Sequence, residues 1–529
     1  MISDLRTLGD GQALEADICI VGAGAAGISI AQALVGTHLD LLLLESGGLA
    51  DEAQTQALYQ GESIGYPVTL DEGRYRVFGG STSRWTGRCA KLDAIDFADR
   101  PWVPYSGWPI ALEDLEAWYE LARPLCGFPE AWGTNAEAGR SAGALPLPLD
   151  PSKVEPFTWR YAPQGNRVYI NWGKRHHSAL EQAGNVKVLL GANVTSLAFD
   201  EGGEHLRELV VRSTTGATRV VRAKAFVLCC GGIENARLLL ANGGDRLEGG
   251  RRALGRFLMQ HPRGQTASIA ASTANSEKLQ DSLNIFATFG GVQYEFGMAL
   301  PAPVQRAEGL LNASMIVTYE AEPASAWESV KAFGSHVRAR ELGAAGSSLL
   351  AAAVDPAAIG RNLWRRGVQH RHAMLKTRSI GLLVDLEQTP DPASRVTLSD
   401  QTDRFGMPQA RVDWRISKDE RRTAARFCEL VAGEMGRLDL GQVTPEPWLS
   451  EEGALGPRDL EGTYHHIATT RMSATPETGV VDADCRVHGV DNLFMAGCSV
   501  FSTGGHANPT FTIVALALRL ADHLKRSIN

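Results

Sequence analysis

Two short runs of nearly continuous apolar residues open the chain. Ala16–Gly22 (ADICIVG) and Leu39–Glu45 (LDLLLLE) read as buried strands. Between them lies Gly22-Ala23-Gly24-Ala25-Ala26-Gly27, then a segment of helical periodicity reaching about Val35. Strand, tight glycine turn, helix and strand within about 30 residues make one βαβ unit. Strands apolar on both faces suit a parallel sheet covered on each side. Residues 50–125 are rich in turns and contain Gly79-Gly80. Residues 186–228 alternate as strands, and Gly231-Gly232 then breaks the chain before a helical IENARLLL. Residues 266–320 and 378–414 read as further strands of one antiparallel sheet. The Ala- and Arg-rich stretch 321–376 reads as helical. No internal repeat and no long disordered linker is visible, so domains are expected to interleave along the chain.

At 529 residues the chain is too long for one compact core, and two or three domains are expected. The 44% hydrophobic and 21% charged content is that of a globular protein. A net charge of −8 argues against nucleic acid as a partner, since no basic surplus exists to offset phosphates. Residues 1–16 lack the apolar core of a secretory signal, and no run approaches the roughly 18 apolar residues of a membrane span. A cytoplasmic protein with no membrane partner is the expectation. The eight cysteines form no Cys-x-x-Cys pair, so no metal site is expected, and Cys229-Cys230 read as core.

The pattern Gly22-x-Gly24-x-x-Gly27 is weak evidence alone, but here it follows a strand and opens a helix. The first glycine makes the turn, the second admits a pyrophosphate, and the third lets helix pack on strand. Free N–H groups at the helix start favour an anion there. Glu45, 23 residues after Gly22, stands where a carboxylate accepts hydrogen bonds from adenine-ribose hydroxyls. No Arg occurs within Ser46–Leu49, which weighs against NADP; the unit alone does not separate FAD from NAD.

Near the other end, His465 and Asn508 are 43 positions apart, each beside a predicted turn, with a long apolar segment after the second. Two loops meeting over a buried cofactor would carry a proton-handling pair in this way. Adjacent residues of an extended segment point to opposite faces, so His465 and His466 are not both expected at a cofactor. His506 reads as a hydrogen-bonded loop histidine. A helix is expected to start near Pro509.

Several segments together resemble the glucose–methanol–choline (GMC) oxidoreductases. Phe78-Gly79-Gly80-Ser81-Thr82-Ser83-Arg84-Trp85-Thr86-Gly87 is similar to the family's flavin-facing loop, and Leu228–Leu239 to its return strand and helix. Residues 465–510 resemble its closing signature, and Gly255-Arg256 with His261-Pro262 adds a weaker match. Within the family the closing segment is most similar to the pyranose oxidases and bacterial glycoside oxidases.

The resemblance implies a Rossmann-like FAD-binding domain (10–120, 185–265 and 450–529) interleaved with an antiparallel-sheet substrate-binding domain (121–184 and 266–449). In this α/β plus α+β architecture, 321–376 is a helical insertion that could serve as lid or oligomer contact. FAD contacts are implied for Gly22, Gly24, Gly27, Glu45, Gly79, Gly80, Ser81, Thr82, Arg84, Trp85, Thr86, Val194, Gly231, Asn235, Gly497, Asn508, Pro509 and Thr510. His465 is implied as the base, with Asn508 at the same substrate oxygen and Gln388 against a sugar hydroxyl. Trp85 and Trp414 are further stacking candidates.

Two departures stand out. Arg84 occupies the position of a flavin-linking histidine, so non-covalent FAD is expected. Ala468 replaces a usual glycine, with little effect expected if its φ is negative.

Oxidising an alcohol removes a hydroxyl proton and a carbinol hydride, which flavin N5 can accept. Histidine is the side chain whose ordinary pKa best suits the proton. The N-terminus of the helix after Pro509 would direct positive charge at the flavin. The leading reading is FAD-dependent oxidation of a sugar or glycoside alcohol. Alternatives are an amino-sugar, polyol or aryl alcohol, or a flavin-bearing lyase without net redox. Oxygen, a quinone and a carrier protein all stay open as electron acceptor, and a homo-oligomer is a further expected association.

Overall fold

The computed structural model describes residues 1–528 except 9–10, 129–131, 163–169, 244–246, 248–249, 288–291, 370 and 451–454. Its first sheet is built on strand Leu14–Val21, whose last four residues are all buried. On one side it pairs in parallel with Leu41–Leu44, which pairs in parallel with Val186–Leu190. On the other side it pairs in parallel with Thr218–Leu228, which also takes Leu493–Met495 in parallel register. Leu206–Arg212 and Asn193–Phe199 extend this edge antiparallel. Helix Ala25–Ala33 connects the first two parallel strands and packs on the closing helix Thr510–Ser527. That buries the apolar stripe Phe511, Val514, Leu518 and Ala521 in the largest core.

The second sheet is antiparallel throughout. Its order is Gln442–Pro445, Arg263–Ala270, Thr377–Leu386, Ala313–Ala321, Gln293–Ala299, Glu155–Tyr161 and Arg88–Cys89. Helix Lys418–Arg437 covers one face. Its N-terminus is held by a capping box between Ser417 and Glu420, and Ala424, Phe427, Val431 and Met435 pack with Leu382 and Val384 in a separate core.

One segment departs from expectation. Residues 395–414 do not join the antiparallel sheet. Arg395–Thr402 and Pro408–Trp414 form a hairpin that pairs in parallel with Gly61–Gly65. The cause is burial: Val396, Ala410, Val412 and Trp414 belong to the first core, most of which lies far away in sequence.

Residues 321–376 hold three helices, Ala326–Ala339, Leu342–Ala352 and Pro356–Gly367. The middle helix buries only Ala345 and Ala352 and leaves Leu342 and Leu350 largely exposed. No single helix among the described residues is long and apolar enough to cross a membrane.

The two cores are tied by a buried ion pair. Arg100, in the loop before Trp108, donates Nη1 and Nη2 to Glu387 Oε2 and Oε1 at 2.7 and 2.5 Å, and both side chains are inaccessible. Glu387 also accepts the Asn312 amide at 2.9 Å. Removing one partner of such a pair strands a charge in the interior, whereas replacing both does not. Arg100→Met is expected to cost about 3–5 kcal/mol, read as a fall in the denaturant midpoint. The double replacement R100M/E387M should recover most of that loss.

Candidate functional site

A cavity of about 560 Å³ lies at the carboxyl ends of the parallel strands. Three of its walls are the turns that leave strands Leu14–Val21, Thr218–Leu228 and Leu493–Met495, at Gly22–Ala26, Cys229–Gly232 and Gly497-Cys498. Ligands of open α/β sheets bind at such strand ends.

The glycines explain how these turns approach one another. Gly22 has φ +103°, and a Cβ there would sit 2.7 Å from the Cys229 carbonyl oxygen. A Cβ on Gly27 would sit 2.0 Å from Gly22 O, so only glycine lets the helix pack against the turn. At Gly24, by contrast, a Cβ would meet no atom within 4 Å, and this glycine faces the open cavity. A Cβ on Gly80 would lie 2.9 Å from Gly24 Cα, so the Gly80–Ser83 turn crosses directly over the glycine loop. Helix Ala25–Ala33 starts there without a side-chain cap, leaving its N–H groups toward the cavity.

Glu45 is buried and lines the cavity. Its Oε2 accepts Ala23 N at 2.9 Å and its Oε1 accepts Gly47 N at 2.8 Å. The carboxylate therefore braces the glycine turn. Burial raises its pKa, against the lowering by those two amide bonds.

Ser81, Thr82, Arg84, Trp85, Thr86, Val194, Gly231, Gly497, Asn508, Pro509 and Thr510 all line the cavity. Gly27, Gly79 and Asn235 do not; they shape its walls. Gly79 has φ +103° and meets the Gly173 backbone. Asn235 accepts Cys230 N at 2.8 Å and donates to Ala496 O and Ser499 Oγ at 3.2 and 2.9 Å, stitching two of the turns together.

Arg84 is ion-paired with Asp51 and lies 4.5 Å over the Tyr75 ring. The closing helix begins at Thr510 with Pro509 as its cap residue and no acid in the first turn. Its positive end, with Ile513, faces the cavity.

Gln388 is corrected by the structure. It lies outside the cavity lining, and its amide is spent within the fold. Oε1 accepts Gln260 N at 2.9 Å and Trp414 Nε1 at 2.8 Å, while Nε2 donates to Arg415 O. Trp414 is likewise packing, fully buried and edge-on to Tyr66.

His465 and His466 both reach the cavity, contrary to the opposite-face expectation. The segment is not regularly extended. Tyr464 and Ala468 have φ +61° and +71°, so left-handed residues bracket it on each side. Ala468 thus stands in a conformation that favours glycine, and the condition under which its replacement is harmless does not hold.

The two rings differ in environment. His465 Nδ1 meets His261 Nδ1 at 2.8 Å and Thr463 Oγ1 at 2.9 Å. Its Nε2 has no hydrogen-bond partner among the described residues. Burial, then the neighbouring His261 and Arg263, hold its pKa well below the ordinary value. His466 Nε2 is buried with no partner among the described residues, and burial pushes its pKa to about 3.

His506 is not in the cavity lining. Its Nε2 lies 3.4 Å from Asp93, which outweighs burial and raises its pKa. It belongs to a buried charge cluster with Asp96, whose pKa is pushed up to about 7 by burial and by Asp93 and Glu387.

Several lining groups escape sequence reasoning. Arg76 lines the cavity and pairs with Glu234 at 2.7 Å, and Arg74 and Arg76 flank the Tyr59 ring. Their only sequence signal is two arginines just before the Phe78-Gly79 turn. Arg88 gave none. It pairs with Glu295 and Asp385 at 2.7 and 2.8 Å, lies 3.9 Å over Trp159, and keeps Nη2 buried and unpartnered among the described residues. Asn508 Oδ1 is buried and unpartnered in the same sense.

A cradle of glycine turns, a bracing Glu45 and buried polar atoms without protein partners fit a flavin dinucleotide, which would supply both the anion and the missing partners. No cluster of metal-ligating residues occurs among the described residues.

Comparison with known proteins agrees. Residues 17–291 match the FAD dependent oxidoreductase family, and residues 390–517 match GMC oxidoreductase. The chain is 25% identical to the 2-methyl-1,2-propanediol dehydrogenase of Mycolicibacterium austroafricanum, over 97% of this chain and 96% of that one. It is 26% identical to the 6'''-hydroxyparomomycin C oxidase of Streptomyces lividus, over 96% and 92%. Among solved structures, pyridoxine 4-oxidase from Mesorbium loti superposes with a TM-score of 0.57 at 18% identity, covering 96% of this chain and 98% of that one. The chain belongs to the FAD-dependent oxidoreductases, in the GMC family.

Proposed function

We propose that this enzyme, which acts on CH–OH groups, oxidises an alcohol carbon of a sugar or glycoside to a carbonyl, with FAD bound non-covalently between the two sheets. The parallel-sheet unit would hold the cofactor, and the antiparallel sheet would supply the substrate wall. The observation that carries the reading is the state of His465. Its Nδ1 is engaged, while its Nε2 has no partner among the described residues of a ring that lines the cavity.

Bound FAD supplies a hydride acceptor. The chain supplies the rest. His465 Nε2 takes the hydroxyl proton, and its lowered pKa keeps it neutral at neutral pH. Asn508, whose Oδ1 is buried beside the start of the closing helix, orients the substrate oxygen. Arg88 Nη2 has no partner among the described residues and the side chain's charge is balanced by Glu295 and Asp385, so it suits a neutral hydroxyl better than a carboxylate. Several unpartnered polar groups in one cavity favour a substrate with several hydroxyls, because an analogue lacking them leaves buried groups unpaired. The named relatives, a dehydrogenase of a diol and an oxidase of a hydroxylated paromomycin, are consistent with a hydroxylated substrate.

His465→Ala is expected to slow flavin bleaching under anaerobic substrate by roughly 10²–10⁴-fold. A wild-type rate in that variant excludes His465 as the base. The wild-type reduction rate should be flat from neutral pH upward and fall only in acid, below the ordinary histidine range, as Nε2 is protonated. A rate still rising above pH 7 contradicts this.

Arg84, held by Asp51 and Tyr75, offers no atom for a flavin link. Acid precipitation should leave all of the yellow chromophore in the supernatant. Colour retained in the washed pellet would mean a covalent bond elsewhere.

A further inference from the structure

Residues 259–263 and 461–467 run antiparallel, with bridges Met259–Ile467 and Arg263–Glu461. This register sets His261 beside Thr463 and His465. His261 is buried and makes two side-chain contacts. Its Nε2 lies 3.2 Å from the Gly504 carbonyl oxygen, and its Nδ1 lies 2.8 Å from His465 Nδ1.

These contacts admit one proton arrangement for two neutral rings. A carbonyl oxygen only accepts, so His261 Nε2 carries hydrogen. A neutral imidazole has one N–H, so His261 Nδ1 is bare. Two nitrogens 2.8 Å apart need one proton between them, and it must come from His465 Nδ1. Thr463 agrees: its hydroxyl donates to the His261 carbonyl at 3.1 Å, which leaves its oxygen as a second acceptor for the same His465 N–H, 2.9 Å away. Burial supports the neutral state of His261, holding its pKa at about 4.

We propose that His261 is a positioning residue. The Gly504 carbonyl fixes its tautomer, and it in turn fixes His465 with Nδ1 protonated and Nε2 bare toward the cavity. Which nitrogen of a histidine is basic is set by the bond its other nitrogen makes. His261 opposes the His465 cation only when it is itself charged, and burial keeps it neutral. When Nε2 takes a proton, the His465 N–H already faces a bare nitrogen, so the new cation gains a stronger hydrogen bond without any ring rotation. The chain Gly504 carbonyl, His261, His465 thus sets both the direction of the base and the stability of its protonated form. This rests on the reading of His465 as the base.

The test uses the FAD-loaded enzyme and two variants. His261→Leu removes the acceptor, and His261→Asn returns an oxygen near the position of Nδ1. Under anaerobic substrate, H261L should reduce flavin roughly 10- to 100-fold more slowly, with flavin content unchanged, and its acid limb should move to lower pH, because the protonated base has lost its acceptor. H261N should regain most of the rate. In ¹⁵N-histidine spectra of the wild type, the signal lost in H465A should carry the Nδ1–H, bare-Nε2 signature.

A wild-type rate and acid limb in H261L would overturn the proposal, as would an Nε2–H signature for His465 in the wild type. The second result decides even if H261L fails to fold. If H465A itself kept the wild-type rate, the base assignment would fail instead, and the spectra would still report on the tautomer.

Discussion

The cavity depends on one close approach of backbone to backbone. Gly22 follows the strand Leu14–Val21, and the Cys229 carbonyl follows the parallel strand Thr218–Leu228; a single methyl group between them would sit 2.7 Å from the oxygen. That spacing lets three turns leave adjacent strands side by side, with Gly231 and Gly497 completing the row. The absence of side chains, not the presence of any particular one, makes room for a flat cofactor. Glu45 then holds the first turn in place through two backbone amides.

The second sheet meets this arrangement through charges buried out of water. Arg100 reaches Glu387, and Arg88 reaches Asp385 and Glu295, while Arg263 adds a bidentate contact to Asp385 at 2.6 and 2.9 Å. Arg263 also exerts its charge on His465. Apolar contacts could join two cores as firmly, but they could not set the field at a titrating ring. Arg263, one of the arginines that tie the second sheet together, also helps keep the candidate base neutral.

Much of the fold was legible because its signals are local. The βαβ unit, the alternation over 186–228 and the helix after Pro509 are each written within a few tens of residues. The hairpin 395–414 was misplaced because its partner strand Gly61–Gly65 has no apolar pattern and lies far away in sequence. Within the site, glycine spacing pointed to backbone turns. Gln388 misled because a buried glutamine looks the same in sequence whether it serves the fold or a ligand. His261 and Arg88 act through pairing between distant segments, which a single sequence does not display. The left-handed Ala468 was hidden for a similar reason, since its conformation is imposed by the loops around it.

The row of turns has a consequence for how the molecule is made. Two of its three glycine turns have been made once Gly232 has left the ribosome. The third, at Gly497, and the helix behind it belong to residues 497–529. At ordinary elongation rates of about 5–20 residues per second, the interval between them lasts many seconds. Throughout that time strand Thr218–Leu228 presents a bare edge where Leu493–Met495 will later dock. The nascent chain therefore holds an unfinished sheet open until Leu493–Met495 arrives, and loss of that strand would leave the edge uncovered for good.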